Sequence, residues 1–298
     1  MKKTIVFLAV CFVLANQIIE AQWSGGNGSE MSPYQITTLT QLNLLADSTN
    51  NFTNWSHDKH FRLMNDITDS MRKVIGSPRG TEQFCFANAV FDGQGYRITL
   101  AIDSTSNTFA QQVGLFGNVS GNFTIKNLSV NGYVRGRAAG GIVGRILVVD
   151  QLHKGNIRNC INMANVSSPT YTAGIVAVHA YRSWITTIDT LVLIEDCINI
   201  GNIRNTSNGT TMDVVAGGIV GGAQILTINR CVNYGYVSSN YIAGGIAGIC
   251  FNSAKIENSV NVGLVRGANN QTGCIVGRIT SPSLINNWWD RQMCPFNN

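Results

Sequence analysis

The sequence predicts an all-β fold in which short strands and turns form a stack of similar coils. Three observations support this prediction: a pair of phrases that recurs along the chain, a composition rich in glycine and poor in charge, and one amphipathic segment near the N-terminus. The 298 residues include 31 glycines, and 12% of them are charged, whereas about 25% are charged in an average soluble domain. Coiled coils and disordered tails both need charge in bulk, so the composition argues against both classes.

The two recurring phrases are the main signal. The glycine phrase is AGGIVG or a variant of it, and its copies begin at Val113, Ala139, Ala173, Ala216, Ala243 and Thr272. The isoleucine phrase has the form I-x-N-C-x-N-x-G-x-V, and its copies begin at Ile125, Ile157, Ile194, Ile228, Ile256 and Ile285. The shortest recurrence is 27 residues, from Gly218 to Gly245. One such unit cannot bury its apolar face alone, so the copies must stack, and three short strands with their turns match its length.

Stacked coils lie about 4.8 Å apart, which places equivalent residues of successive units in columns. The first residues of the isoleucine phrases are therefore predicted to form one interior ladder. A second interior ladder consists of Val134, Val166, Ile203, Val237 and Val265. An amide ladder, in which each side chain bonds the next one at a bend, consists of Asn162, Asn199, Asn233 and Asn261. The tight turn beside it consists of Gly132, Ala164, Gly201, Gly235 and Gly263.

Residues 1–21 have the features of a secretory signal peptide. Two lysines precede the apolar run Ile5–Ala15, which is too short to cross a bilayer as a helix. Cleavage is expected after Ala21, and a lipoprotein attached through Cys11 is the alternative. No other stretch approaches the length of a membrane span, so we expect an exported protein, secreted or held at the cell surface, with no further transmembrane segment.

The charge balance bears on the partners. Without the leader, 19 Lys and Arg residues face 15 Asp and Glu residues, which leaves a net charge of +4 (19 − 15). This surplus is small and scattered along the chain, whereas phosphate backbones are bound by concentrated positive charge. The sequence therefore predicts no nucleic-acid partner.

Seven cysteines follow the leader, an odd number that cannot pair completely within one chain. Cys160, Cys197 and Cys231 share one column and are predicted to be small buried residues. A stacked disulfide or metal ladder is the alternative, although parallel in-register neighbours rarely orient their sulfur atoms for a bond. A bond between Cys85 and Cys294 is left open. No spacing typical of zinc ligands occurs, so the sequence predicts no metal site and no cofactor.

The N-terminal third contains the one helix that the pattern predicts. A strand is expected over residues 33–36, followed by a short amphipathic helix over residues 38–46 with Thr38 as its cap. A second strand, leading to a turn, is expected over residues 61–67. A stack of coils needs its open end covered, and a helix laid across that end would serve this purpose.

Several pieces of this region, together with the repeats, resemble a known family. The pieces are PYQITTLTQLNLLA from Pro33, FRLMNDI from Phe61, FDGQGYRI from Phe91 and GLFG from Gly114. In this order they resemble the GLUG-motif proteins of bacterial surfaces, whose motif also occurs in the N-terminal region of IgA-specific metallopeptidases. The resemblance covers nearly all of the chain after the leader and implies a right-handed parallel β-helix (β-solenoid) with a short N-terminal capping helix. It implies no catalytic activity for this region.

The domain organisation follows from these signals. Residues 1–21 are the signal peptide, residues 22–112 the N-terminal capping part of the solenoid, and residues 113–285 six GLUG-like repeats with insertions in the second and third. Residues 286–298 form a C-terminal cap or tail, in which Trp288 and Trp289 are expected to cover the last coil.

The insertions supply the candidate binding residues. From the glycine phrase to the isoleucine phrase the distance is 11 residues in the first unit (114 to 125), 16 in the second (141 to 157) and 20 in the third (174 to 194). Two neighbouring coils are therefore predicted to bulge at the same corner, and a third insertion spans residues 205–212. Function in repeat proteins tends to lie on such insertions. The candidate binding residues are His153, Lys154, His179, Tyr181, Arg182, Trp184 and Asp189.

These aromatic and polar groups favour a non-catalytic binding or adhesion module for an extracellular glycan or a host or matrix protein. A polysaccharide lyase or glycoside hydrolase is the alternative, since parallel β-helices can gather carboxylates in a groove. No column places two carboxylates on adjacent coils, and the four histidines do not form the His-Glu-x-x-His pattern of the metallopeptidases, so no catalytic residue is predicted. Pairing across columns through Asp66, Asp92 or Asp213 is left open. A purely structural spacer is the third hypothesis.

Overall fold

The computed structural model describes residues 22–77, 82–106, 112–148, 154–181, 191–251, 254–268, 271–280 and 283–294. The predicted signal peptide lies outside these ranges. The described residues are mostly β-strand and contain one α-helix, Leu39–Asn51, and one short 3-10 helix, Glu82–Phe84.

Within these ranges the strands form three parallel sheets of 19, 6 and 7 strands. The first sheet contains Tyr34–Ile36, His60–Leu63, Ile67–Met71, Val90–Asp92, Arg97–Asp103, Thr124–Arg135, Lys154–Asn162, Asn165–Ser168, Leu191–Glu195, Ile198–Asn199, Ile203–Asn205, Leu226–Asn229, Val232–Asn233, Val237–Ser238, Lys255–Glu257, Val260–Asn261, Val265–Arg266, Ser283–Ile285 and Trp288–Trp289. The second contains Gln112–Val113, Ala138–Gly140, Tyr171–Ala173, Val215–Gly217, Ile242–Gly244 and Thr272–Gly273. The third contains Phe86–Ala87, Phe116–Ser120, Val143–Val148, Val176–Tyr181, Val220–Gln224, Ala247–Phe251 and Val276–Thr280.

The strand register confirms that equivalent residues of successive repeats lie side by side. Ile157 pairs with Ile125 on one side and with Ile194 on the other, and Ile228 pairs in the same way with Ile194 and Ile256. All five isoleucines are fully buried. Each repeat gives its strands to the three sheets in turn before the next repeat begins, so the repeats form stacked coils around one continuous core.

The last repeat departs from the predicted alignment by one residue. Leu284 lies opposite Ile256, whereas Ile285 lies opposite Glu257 and is 44% exposed. The bend after each interior isoleucine requires a left-handed residue two positions on, such as Asn258 (φ 51°), and in the last repeat Asn286 (φ 51°) takes this place. Asparagine adopts this conformation more readily than most residues. The prediction that Ile285 continues the interior ladder is therefore wrong.

The predicted amide ladder is present. The Nδ2 group of Asn162 donates to Oδ1 of Asn199 at 2.8 Å, that of Asn199 to Asn233 at 2.7 Å, and that of Asn233 to Asn261 at 2.8 Å. In the tight turn beside it, a Cβ on Gly235 would lie 2.1 Å from the carbonyl oxygen of Gly201. The coils approach so closely there that a side chain would collide with backbone.

The stacked cysteines are small buried residues, as predicted. Cys160, Cys197 and Cys231 have no exposed surface, and each thiol lies within hydrogen-bond range of backbone carbonyls in its own coil and the preceding one. Burial raises the pKa of the Cys197 and Cys231 thiols well above the ordinary value. A disulfide joins Cys274 to Cys294 instead, with a Cα–Cα distance of 5.5 Å.

The N-terminal helix begins where the sequence predicts and ends later. Thr38 caps it, accepting a hydrogen bond from the Gln41 backbone N–H at 3.3 Å, and the helix continues to Asn51. The single strand predicted over residues 61–67 is wrong, because the structure has two strands, His60–Leu63 and Ile67–Met71. Between them the Asn65 side chain donates to backbone carbonyls, and this local bonding competes with strand pairing.

The C-terminal end is covered less completely than the sequence predicts. Trp289 is partly buried and packs against the core, but Trp288 is 70% exposed. Neighbouring residues of a strand face opposite sides of the sheet, so the two indoles cannot both cover the coil.

Candidate functional site

The register brings the two predicted insertions to one corner of the stack. The chain enters them from Val143–Val148 and Val176–Tyr181, which are paired parallel strands with Val148 opposite Tyr181. It leaves them at Lys154 and Leu191, which also lie opposite each other. The chain therefore leaves and rejoins the stack at neighbouring positions in both repeats, while the insertions themselves lie outside the described residues.

Only part of the predicted binding set lies in the described residues. Lys154 is exposed at the start of a strand, and its backbone N–H donates to Oδ1 of Asn122 at 3.0 Å. Tyr181 is the last residue of a strand. The other residues of the set apart from His179 lie outside the described ranges: His153, Arg182, Trp184 and Asp189.

The structure places His179 inside the protein, which corrects the expectation that it faces a ligand. Its side chain is 2% exposed and lies in the interior column next to Ile146. Nδ1 bonds the backbone carbonyl of Gln224, while Nε2 is buried without a hydrogen-bond partner among the described residues. Desolvation lowers the pKa of His179 to about 4, and the bond to Gln224 opposes this shift only in part. The ring is therefore neutral near pH 7.

Sequence reasoning could have found this burial. Counting four residues on from the isoleucine of each glycine phrase gives Ile146, His179, Ala223, Cys250 and Ile279. Most members of this column are apolar, so the pattern predicts an inward position. The length of the third unit favoured an insertion that already includes His179, whereas the strand continues to Tyr181.

A second candidate site lies beside the third insertion. A groove of about 570 Å³ runs across the outer surface of the first sheet, and we call it the arginine groove. Its defining residues are Arg204, Asn208, Tyr236, Ser238, Asn240 and Arg266.

The arginine groove arises from an alternation along one outward-facing column. Arg135 pairs with Ser167, Ser167 with Arg204, Arg204 with Ser238, and Ser238 with Arg266. Like charges directly opposite each other on neighbouring strands are destabilising, so an interposed serine relieves the repulsion. The serine also has a small side chain, which leaves space between the two arginines above and below it.

The three arginines of this column differ in their ion pairing. Arg135 forms an ion pair with Asp103 at 3.7 Å and lies over the Tyr133 ring at 4.8 Å. Within the part of the chain that the structure describes, Arg204 and Arg266 make no ion pair, and no carboxylate lines the arginine groove. The groove is therefore a positively charged surface with polar walls.

The third insertion forms an ordered wall of this groove. The Asn240 side chain donates to the Ser207 carbonyl at 2.7 Å and to Oδ1 of Asn208 at 3.0 Å. The Ser207 backbone N–H in turn donates to Oδ1 of Asn205 at 2.9 Å. Sequence reasoning located this insertion but missed the groove, although the recurrence of arginine in alternate repeats was a usable signal.

Several carboxylates lie beside basic or amide side chains of neighbouring coils. Glu195 lies between Arg158 and Asn229, and Asp92 forms an ion pair with Lys126 at 3.2 Å. The Arg230 guanidinium bonds Asp196 at 2.7 Å and lowers the pKa of that carboxyl. Among the residues described here, no group of three or more metal-ligating side chains comes together.

Comparison with known proteins places the chain near two bacterial proteins. No family model matches it. A relative in Evansella cellulosilytica, named provisionally as a Gly-rich membrane protein, is 29% identical over 151 residues, which are 47% of this chain and 16% of the relative's length. The chain thus spans only a small part of that relative. The described residues contain no helix long and apolar enough to cross a membrane.

The structural comparison shows the fold. The crystal structure of a protein from Bacteroides ovatus, named provisionally as an immunoglobulin A1 protease, superposes with a TM-score of 0.68 and 22% identity. The match covers 90% of this chain and 78% of the other. The two chains share a β-rich architecture of parallel sheets.

Proposed function

We propose that this chain is a GLUG-type right-handed parallel β-helix that acts outside the cytoplasm, at the cell surface or in secreted form, as a non-catalytic binding module. The leader-like residues 1–21 and the resemblance to surface proteins support the location. The strong right-handed preference of connections between parallel strands supports the handedness. The fold shared with the Bacteroides ovatus protein supports the architecture.

One observation carries the binding role: the strands before and after the two insertions are paired, so both insertions leave and rejoin the stack at neighbouring positions. Neighbouring loops can surround a ligand with aromatic and charged groups. In a typical interface a small number of such groups supplies most of the binding energy. The proposed contact set is His153, Lys154, Tyr181, Arg182, Trp184 and Asp189. The proposed ligand is an extracellular glycan or a host or matrix protein.

The test compares two variants on a glycan array and on immobilised matrix proteins. Replacing Tyr181 and Trp184 by Ala together should weaken binding about tenfold or more, since buried aromatic contacts often dominate an interface. The matched control is Tyr234→Ala, which removes a 58% exposed ring elsewhere on the stack. Thermal stability should be unchanged in both variants. Equal binding by the double variant and the unmodified chain contradicts this contact set.

The same preparations separate the alternatives. Incubation with a panel of polysaccharides that yields new reducing or unsaturated ends would establish a polysaccharide-active enzyme and overturn the non-catalytic role. A chain that binds nothing on either array contradicts the binding role and favours a structural spacer.

A further inference from the structure

We propose that the arginine groove binds a segment of an acidic polysaccharide through its carboxylate or sulfate groups. This proposal goes beyond the proposed function, because it adds a second binding surface with a stated ligand class on residues distinct from the corner with the two insertions. The groove lies on described strands and on the third insertion.

The spacing of the two guanidinium groups suits a repeating anion. Arg204 and Arg266 stand in one column with Ser238 between them. At about 4.8 Å between strands, their Cα atoms are roughly 10 Å apart. Acidic groups on alternate sugars of an extended polysaccharide recur at a comparable distance. A guanidinium group can bind a carboxylate or sulfate through two parallel hydrogen bonds, so two arginines define both position and direction.

The two arginines are also available to a ligand. Both are exposed, and neither makes an ion pair with any described residue, whereas Arg135 in the same column is neutralised by Asp103. Within this one column, a carboxylate balances the charge of Arg135, whereas no described carboxylate balances the charges of Arg204 and Arg266. An anion would supply this balance.

The walls favour a sugar over a peptide or a nucleic acid. Tyr236 is half-buried in the groove and offers a ring on which a pyranose can stack. Nδ2 of Asn208 can donate to a hydroxyl and Oδ1 of Asn240 can accept from one, since the bonds that hold the wall use the other amide atoms. The lining is mostly polar, unlike the apolar pockets that hold peptide side chains. Nucleic-acid binding depends on many phosphate contacts, and two arginines supply only a fraction of the charge required.

The groove is preorganised. Asn240 holds the insertion through bonds of 2.7 and 3.0 Å to Ser207 and Asn208, so this wall does not have to order when a ligand arrives. A rigid site avoids part of the entropic cost of binding. An extended chain could therefore lie along the stack axis across the coils that contain Arg204, Ser238 and Arg266.

The experiment is a calorimetric titration of the full mature chain with three hexasaccharides: heparin-derived for sulfate, polygalacturonate-derived for carboxylate, and cellohexaose as the neutral control. We expect at least one acidic probe to bind and the neutral one not to bind. Binding should weaken as salt rises, because part of the attraction is between charges. Lack of binding by both acidic probes overturns the proposal.

Matched variants locate the site. Arg204→Ser and Arg266→Ser should each weaken binding about tenfold, and the double variant should abolish it. Arg135→Ser, an exposed arginine of the same column outside the groove, should change the affinity less than about threefold. Tyr236→Ala keeps both arginine charges. It should lower the affinity for the acidic hexasaccharide more than the affinity for free sulfate. Retained binding in the double arginine variant, or an equal loss in Arg135→Ser, overturns the site.

The corner variant makes the two proposals distinguishable. Replacing Tyr181 and Trp184 by Ala should leave acidic-hexasaccharide binding unchanged. If that variant alone abolishes binding, the arginine groove is wrong and the corner with the two insertions is retained. If a phosphopeptide or a single-stranded oligonucleotide binds more tightly than both acidic hexasaccharides, the ligand class is wrong.

Discussion

The two ends of the stack are covered in different ways. At the N-terminal end, Leu42 and Leu45 of the helix are fully buried, and Trp23 stacks on Tyr34 with ring centroids 4.9 Å apart. At the C-terminal end, Trp289 is only partly buried, and Trp288 is 70% exposed. The disulfide Cys274–Cys294 holds this end instead.

The difference shows two solutions to one physical problem. The terminal coils of a solenoid have a neighbour on one side only, so their apolar surface and strand edges must be covered or tied down. A helix and a cluster of aromatic rings stabilise by removing apolar surface from water. A disulfide stabilises chiefly by limiting the conformations of the unfolded segment. We therefore expect the N-terminal end to contribute to global stability and the C-terminal end to open locally.

The largest effect is expected at the buried helix face. Leu45→Ala should lower the free energy of unfolding by about 2–5 kcal/mol, because it leaves a cavity in a fully buried site. Urea denaturation followed by circular dichroism measures this loss. Thr40→Ala, an exposed change on the same helix, should alter stability by less than about 0.5 kcal/mol. Similar losses in the two variants would mean that the helix does not cover the core.

The effect at the other end is expected to be local, on the opening of the last coils. Replacing Cys274 and Cys294 by Ser removes a disulfide between residues that are 20 positions apart. The loss of this constraint on the unfolded segment should lower the stability of that segment by about 3 kcal/mol. Hydrogen exchange should accelerate in residues 271–294 and remain unchanged around Ile157 and Ile194. Uniform acceleration along the whole chain would contradict the contrast between the ends.

The smallest effect tests the middle of the stack through His179. Its pKa is 6.5 in the unfolded chain and about 4 when folded, so between these values the unfolded state binds a proton that the folded state excludes. Stability is therefore full above pH 6.5, falls toward pH 4, and should be lower by about 2 kcal/mol at pH 5. Urea midpoints at pH 7 and pH 5 measure the loss.

His179→Leu is the control for this titration and should remove most of the pH dependence in that window. Asp92, Asp103 and Asp196 have lowered pKa values, so their contributions are lost only below pH 3.8. An unchanged slope in His179→Leu would assign the effect to another group.

The regular repeats were predictable from the sequence, and the irregular last repeat was not. Asn162, Asn199, Asn233 and Asn261 were predicted correctly because the same residue recurs at the same place and can bond its own copy. The register predicted for the last repeat was wrong because two asparagines follow Ile285, and either of them suits the left-handed bend. Only the pairing of Leu284 with Ile256 resolves that choice.

The candidate sites show the same limit. Spacing alone located the corner, since it depends on the lengths of neighbouring repeats. The column of the arginine groove also follows from the sequence, because Arg204, Ser238 and Arg266 each come one residue after a member of the predicted interior ladder. The wall of the groove does not follow from it, because the contact of Asn240 with Ser207 and Asn208 depends on the path of the third insertion.

By itself, the sequence determined the stack and its interior columns, because a recurring apolar residue is buried only if its copies lie together. The tertiary structure alone decided the partner of Cys294 and the register of the last coil. These features depend on how the chain returns after insertions and bends, and several return paths satisfy the same local pattern. Packing selects among them, because the observed path buries the apolar columns in one core and pairs the strands of successive coils.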